Sequence, residues 1–210
     1  MITLKNTELQ HVTPESVGVK SSAIKAFVDE INSKKLGLQS FTMVRHDKVF
    51  AQGFWKPYAA DIPHVLYSMS KSVTSTAVGF AVDEGLISLD DKVCKFFPEY
   101  FAAKLPINKA LTVRMLLTMR SDKFITVFDE KGGKDWIKQF FDAGYMMPPN
   151  TKFNYISENT FMLSAIVSKV TGMSVADYLY PRMFAPLGIE KPFWETDGKG
   201  NNAGGWGLYM

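Results

Sequence analysis

Residues 66–100, LYSMSKSVTSTAVGFAVDEGLISLDDKVCKFFPEY, constrain this chain more than any other stretch. A hydroxyl-rich start gives way to Val73, Ala77, Phe80 and Ala81 at helical spacing, and Gly85 supplies a stop. The pattern predicts a helix over 68–84 whose small residues allow close packing. Ser68 and Lys71 then share one face of its first turn. A helix N-terminus favours anions, so a lysine there is poorly placed for stability, and burial disfavours its charge further. An amine pushed toward neutrality takes a proton from a hydroxyl, which is what a serine nucleophile requires. The Ser-x-x-Lys spacing is one signature of acyl-transfer serine chemistry.

The same spacing recurs at Ser22 and Lys25. There Ile24, Phe27, Val28 and Ile31 form one apolar stripe, Ser21 or Ser22 reads as an N-cap, and Lys25 reads as solvated. The plain reading of Ser68 is likewise a helix cap. The tetrapeptide does not decide between cap and nucleophile; its surroundings do.

With 210 residues and 46% apolar content, the chain can bury a sizeable core in one or two domains. The net charge of +3 comes from 24 basic and 21 acidic residues without a long basic run, which argues against nucleic acid or an anionic membrane as partner. No apolar stretch reaches spanning length. The first thirty residues carry no recognisable signal peptide, so a cytoplasmic location is expected. A single cysteine, Cys94, excludes an internal disulfide and reads as a packing residue. His11, His46 and His64 lack metal-ligand spacing, and neither a metal nor another cofactor is expected.

Along the chain, a helix is predicted over 21–35. Two strands, 41–45 and 48–54, follow around a His46-Asp47 turn. Thr112 caps a short helix through Met119, and Lys134 to Ala143 is a third amphipathic candidate. Glu158 to Val170 reads as a strongly apolar helix stopped by Gly172, and Ser174 caps another that reaches about Tyr180. Residues 195–207 read as a Gly- and Asn-rich loop. Tyr58 and Trp206 suit a core or loop role better than a substrate cleft. Two strands do not make a stable sheet alone.

Several ordered stretches together carry a resemblance. Residues 66–100, LTVRMLLTMRSD (111–122), PPNTKFNYISENTFMLSAIVSKVTG (148–172), PRMFAPLGIEKPFWE (181–195) and NNAGGWGLYM (201–210) resemble successive landmarks of the serine β-lactamase and penicillin-binding-protein superfamily, nearest its class C-like hydrolases and esterases. The resemblance implies an α+β fold of the α/β-sandwich type, with a large helical lobe and an incomplete antiparallel sheet. Residues 1–60 would give the N-terminal helix and hairpin, and 61–210 the helical lobe. It implies Ser68 as nucleophile, Lys71 as general base for acylation, and Tyr155 as proton relay to the leaving group. Members often carry Asn two residues after that tyrosine; Ser157 stands here, so a hydroxyl would supply part of the substrate contact. Arg120-Ser121-Asp122 replaces a Thr-Ser-Gly-like turn. The family's third motif, Lys/His-Thr/Ser-Gly on a later strand, has no counterpart among these residues.

The activity implied is hydrolysis of a small-molecule ester, amide or β-lactam through an acyl-serine. A transpeptidase working on cell-wall peptides is disfavoured by the missing signal peptide. The competing reading is a catalytically silent relative that binds a ligand or partner chain. An open sheet edge would then call for self-association or a complementing C-terminal fragment.

Overall fold

The computed structural model describes residues 9–101, 106–124 and 135–210. Contacts divide the chain into two compact units, Met1–Pro63 and His64–Met210.

The first unit holds strand β1 (Gln10–His11), helix α1 (Ser21–Ser33) and strands β2 (Ser40–Arg45) and β3 (Lys48–Phe54). The hairpin turns at His46 and Asp47, both with positive φ, the pairing a tight two-residue connection demands. β1 adds to β3 in parallel, so the sheet is mixed, in the order β1-β3-β2. A two-residue strand leaves no alternation to read, and the expectation of two antiparallel strands missed it. Phe41 lies directly across from Gly53, where an added Cβ would stand 2.5 Å from the Phe41 ring. The glycine therefore lets the ring lie over the neighbouring strand, where it meets Phe27 edge-on at 5.3 Å. Helix α1 is capped at Lys20, and the Ser21 amide donates to the Glu15 carboxylate at 2.7 Å. Lys25 is exposed and paired with Asp29, so this second Ser-x-x-Lys match is surface chemistry.

The second unit is helical. It comprises α2 (Ser70–Asp83), α3 (Val93–Phe96), α4 (Pro98–Phe101), α5 (Val113–Leu117), α6 (Trp136–Asp142), α7 (Ser157–Thr171) and α8 (Val175–Leu179). Strands β4 (Phe193–Trp194) and β5 (Leu208–Tyr209) follow. Thr112 caps α5 by accepting the Met115 amide, and Ser174 caps α8 through the Asp177 amide. Asp135 caps α6; Lys134, where that helix was expected to start, lies outside the described residues. After α8 the chain continues as a π-helical turn over Tyr180–Phe184, past the end expected at about Tyr180.

Helix α7 is the axis of this unit. Phe161, Met162, Leu163, Ile166 and Val167 are all buried, so apolar contact surrounds it rather than lining one stripe. Each such side chain contributes about 1.5–3 kcal/mol relative to exposure. Helix α2 packs against α7 and presents Ala77 and Ala81, both fully buried. Without bulk on that face the two backbones approach closely, which brings the N-terminal end of α2 near that of α7.

Candidate active site

Ser68 lies in a single 3₁₀ turn, Tyr67–Met69, and α2 proper begins at Ser70. Ser68 is therefore presented just ahead of the helix rather than within its first turn. The preceding residue, Tyr67, has φ of 42°, an unfavourable conformation for a side chain of that size. Backbone pairing fixes the approach. The His64 amide donates to the Met210 carbonyl at 2.7 Å, the Leu66 amide to the Leu208 carbonyl at 2.8 Å, and Val65 bridges Tyr209. On the other side, the Leu208 amide reaches the Ser70 hydroxyl at 3.4 Å. The segment expected to be loop, 195–207, is thus followed by a strand that tethers the residues before Ser68.

Lys71 gathers the site. Its Nζ donates to Ser68 Oγ at 3.0 Å, to Ser157 Oγ at 3.0 Å and to the Gly205 carbonyl at 2.8 Å. The amine also lies 4.9 Å from the centroid of the Tyr155 ring. All four residues predicted from the sequence therefore meet around one nitrogen. Lys71 is half-buried and Ser68 exposed, so the pair is reachable from solvent.

Ser157 does not cap its helix. The N-cap of α7 is Ile156, without a side-chain cap bond, and Ser157 is the first helical residue. Its oxygen accepts the lysine proton instead. That leaves its own O–H free in direction to serve as a donor.

Tyr155 is half-exposed, at the end of a segment threaded through the Arg120-Ser121-Asp122 turn. Asp122 takes φ of 55°, a left-handed conformation that glycine adopts at less cost. Its carboxylate accepts the amides of Thr151 at 3.0 Å and Lys152 at 3.2 Å. The Asn154 amide donates to the Met119 carbonyl at 2.7 Å. The departure from a Thr-Ser-Gly-like turn is thus offset by side-chain bonds that hold the run leading to Tyr155. The Ser68 hydroxyl hydrogen-bonded to the phenol, with Lys71 beside it, lowers the Tyr155 pKa below the usual tyrosine value, against an opposing effect of burial.

Two contributors escaped the sequence reading. Gly204 and Gly205 pack against the first turns of α7 so closely that a Cβ at Gly204 would lie 2.7 Å from the Thr160 carbonyl, and one at Gly205 2.9 Å from the Ser157 carbonyl. That approach puts the Gly205 carbonyl over the lysine amine. Thr74, buried on α2, donates to the Gly204 carbonyl at 2.9 Å and fixes the loop from the other side. The only signal was the Gly-Gly pair itself. Trp206 next door packs against Trp136 at 5.5 Å and serves the core. Tyr58 belongs to the first unit.

Elsewhere in this unit a second lysine is sealed from water. Lys123 Nζ donates to Asn108 Oδ1 at 2.9 Å and to the Ala143 carbonyl at 2.8 Å. It sits 4.2 Å from the Tyr145 ring centroid and 5.1 Å from that of Phe140. Burial pushes its amine down to about 7. Cys94 is a free, half-buried thiol on α3. Among the described residues, no group of three His, Cys, Asp or Glu side chains is placed to hold a metal ion, and no helix is long and apolar enough to cross a membrane.

Comparison with known proteins bears on the family and the fold. A family model described as Beta-lactamase matches residues 24–210. Penicillin-binding protein 4 of Amycolatopsis lactamdurans is 30% identical over 182 residues, covering 82% of this chain and 44% of its own length. A 6-aminohexanoate-dimer hydrolase of Paenarthrobacter ureafaciens is 24% identical over 200 residues, covering 85% of this chain and 50% of its own. The chain therefore spans about half the length of the curated relatives it matches. The crystal structure of FmtA from Staphylococcus aureus shares the fold, with a TM-score of 0.72 at 17% identity over 99% of this chain and 66% of that one. The family-model match over residues 24–210, most of the sequence, shows that the chain belongs to the β-lactamase family.

Proposed function

We propose that the protein is a serine hydrolase that cleaves an ester or amide, β-lactams included, through an acyl-enzyme on Ser68. Ser68 Oγ attacks the carbonyl carbon while its proton passes to Lys71 Nζ. The tetrahedral intermediate collapses, the carbonyl–leaving-group bond breaks, and Tyr155 delivers a proton to the departing oxygen or nitrogen. Water then attacks the acyl-serine and restores the free hydroxyl. The lowered pKa of Tyr155 suits a phenol that both gives and regains a proton. Ser157 holds Lys71 and presents its own O–H toward substrate.

The observation that carries this reading is the single amine in hydrogen-bond contact with both Ser68 and Ser157, against the face of Tyr155. An unengaged helix cap would not place a lysine on its own oxygen and a tyrosine alongside. The names of the relatives, a penicillin-binding protein and a 6-aminohexanoate-dimer hydrolase, are consistent with acyl transfer.

A fluorophosphonate and a labelled penicillin test the proposal. At least one of them is expected to modify Ser68 in the full-length gene product, with the adduct found by mass spectrometry on the peptide containing Ser68 and absent in Ser68→Ala. Failure of both to label the folded protein sinks it.

A further inference from the structure

Two threonines on α2 use their hydroxyls differently. Thr76 donates to the Ser72 carbonyl at 3.0 Å, the ordinary bond of a threonine to its own helix. Thr74 is fully buried, and its hydroxyl leaves the helix to donate to the Gly204 carbonyl at 2.9 Å, 130 residues along the chain. Lys71 and Thr74 lie three apart on α2 and share one face. From that face they reach consecutive carbonyls, Thr74 that of Gly204 and Lys71 that of Gly205.

The loop that carries these carbonyls is anchored on both sides. Upstream, the Asn202 side chain accepts the Ala176 amide at 3.0 Å, and the Asn202 carbonyl accepts the Ser164 hydroxyl at 2.8 Å. Downstream, the Leu208 amide reaches the Ser70 hydroxyl at 3.4 Å. Between the anchors lie Gly204 and Gly205, which fit against α7 because they have no side chain. Glycine also has the freest backbone of any residue, so the fit leaves the direction of their carbonyls to be set by something else. The Thr74 bond holds the Gly204 carbonyl. The peptide unit is planar, so the Gly205 amide is held with it. One residue's φ and ψ then remain to decide where the Gly205 carbonyl points.

That direction matters to the proton transfer. A protonated lysine has three N–H donors, and three oxygens receive those of Lys71. Two are hydroxyls, which both give and accept a proton; the Gly205 carbonyl only accepts. In the neutral amine one N–H therefore stays on Gly205, Ser157 accepts the second, and the lone pair is left facing the Ser68 hydroxyl. With the carbonyl turned away, an N–H rotates onto Ser68 Oγ and the lone pair points elsewhere. We propose that Thr74 is a positioning residue for the reaction: by holding the Gly204–Gly205 peptide it keeps the Gly205 carbonyl on the Lys71 amine, and so keeps the lone pair of that amine on the Ser68 proton. The inference rests on the reading of Ser68 as nucleophile and Lys71 as base.

The test is the rate at which a fluorophosphonate modifies Ser68 in the full-length gene product, compared on the plateau above the acid limb of its pH profile. Thr74→Val keeps the shape of the side chain and removes the donor, so labelling of the folded variant should slow by about tenfold, the equivalent of one ordinary hydrogen bond. Thr74→Ser keeps the donor and should stay within about twofold of wild type. On a Lys71→Met background, Thr74→Val should add less than about a further twofold, because residues that act through a shared partner are not additive. A merely structural threonine would lower the thermal midpoint and leave the labelling rate of folded molecules in place. Where Thr74→Val does not fold, Thr74→Cys, a weaker donor of similar size, carries the comparison and should label more slowly than Thr74→Ser. Wild-type rates in the Val or Cys variant, a Ser variant as slow as Val, or an undiminished loss on the Lys71→Met background overturns the inference, while labelling of Ser68 leaves the hydrolase reading standing. No labelling of the wild type at any pH overturns both.

Discussion

The second unit contains two lysines that are removed from water in opposite ways. Lys71 is half-buried, and three neutral oxygens accept its protons at 2.8 to 3.0 Å beside an exposed serine. Lys123 is fully buried between two aromatic rings, and Asn108 and a backbone carbonyl receive its protons. A polar cradle open to solvent lets an amine exchange protons with a substrate. A closed aromatic box makes the charged form expensive and gives it nothing to react with. A perturbed amine is therefore not by itself the mark of a reactive one. What the amine touches, and whether a substrate reaches it, separates the two.

The comparison breaks first at Lys71. Lys71→Met keeps the length of the side chain and removes the proposed base, so fluorophosphonate labelling of Ser68 should slow by about 10²–10⁴, the range for a lost general base. The thermal midpoint at neutral pH should change far less. Labelling at the wild-type rate would end the distinction between the two sites.

Lys123 governs stability instead. Its pKa is about 7 in the folded chain against 10.5 for the ordinary side chain. Between those values the unfolded chain binds more protons than the folded one, so stability rises as pH increases from about 7 to 10.5. Below that window both states are protonated and the cost of the buried charge is fully present. The gain across the window is at most about 5 kcal/mol, from the free-energy equivalent of a pKa shift. Lys123→Met should flatten this part of the stability curve, read by urea denaturation at a series of pH values, and leave the pH limb of Ser68 labelling where it was. An unchanged stability slope would show that the box does not hold the charge out.

The smallest effect is expected at Ser157. Ser157→Ala removes one of three acceptors from Lys71 and one donor near the substrate, so labelling should slow by about tenfold, the equivalent of one ordinary hydrogen bond. Loss as large as that of Lys71→Met would make Ser157 a partner in the proton transfer rather than a support.

The sequence exposed these two lysines unequally. Lys71 stood out because Ser68 lies one turn away, and local spacing is what a sequence displays directly. Lys123 follows Ser121 and Asp122 with no local pattern that distinguishes a buried amine from a surface one; its box is assembled from residues 108, 140, 143 and 145. The long helices were legible for the same reason as Lys71. The apolar run of α7 and the left-handed Gly172 after it are local signals. The lysine contact of Ser157 was not legible, because the amine its oxygen accepts from lies 86 residues earlier in the chain. The Gly205 carbonyl was invisible, as every residue has one and only the fold aims it.

That last contact has a consequence for how this site would respond to systematic mutation. One of the three acceptors that hold Lys71 is an atom of the main chain. Replacing side chains one at a time cannot delete it, and a scan of that kind would credit its share of the work to the residues that merely shape the loop. Swapping the peptide linkage after Gly205 for an ester, which weakens the oxygen as an acceptor while adding no bulk, is the substitution that would reveal it.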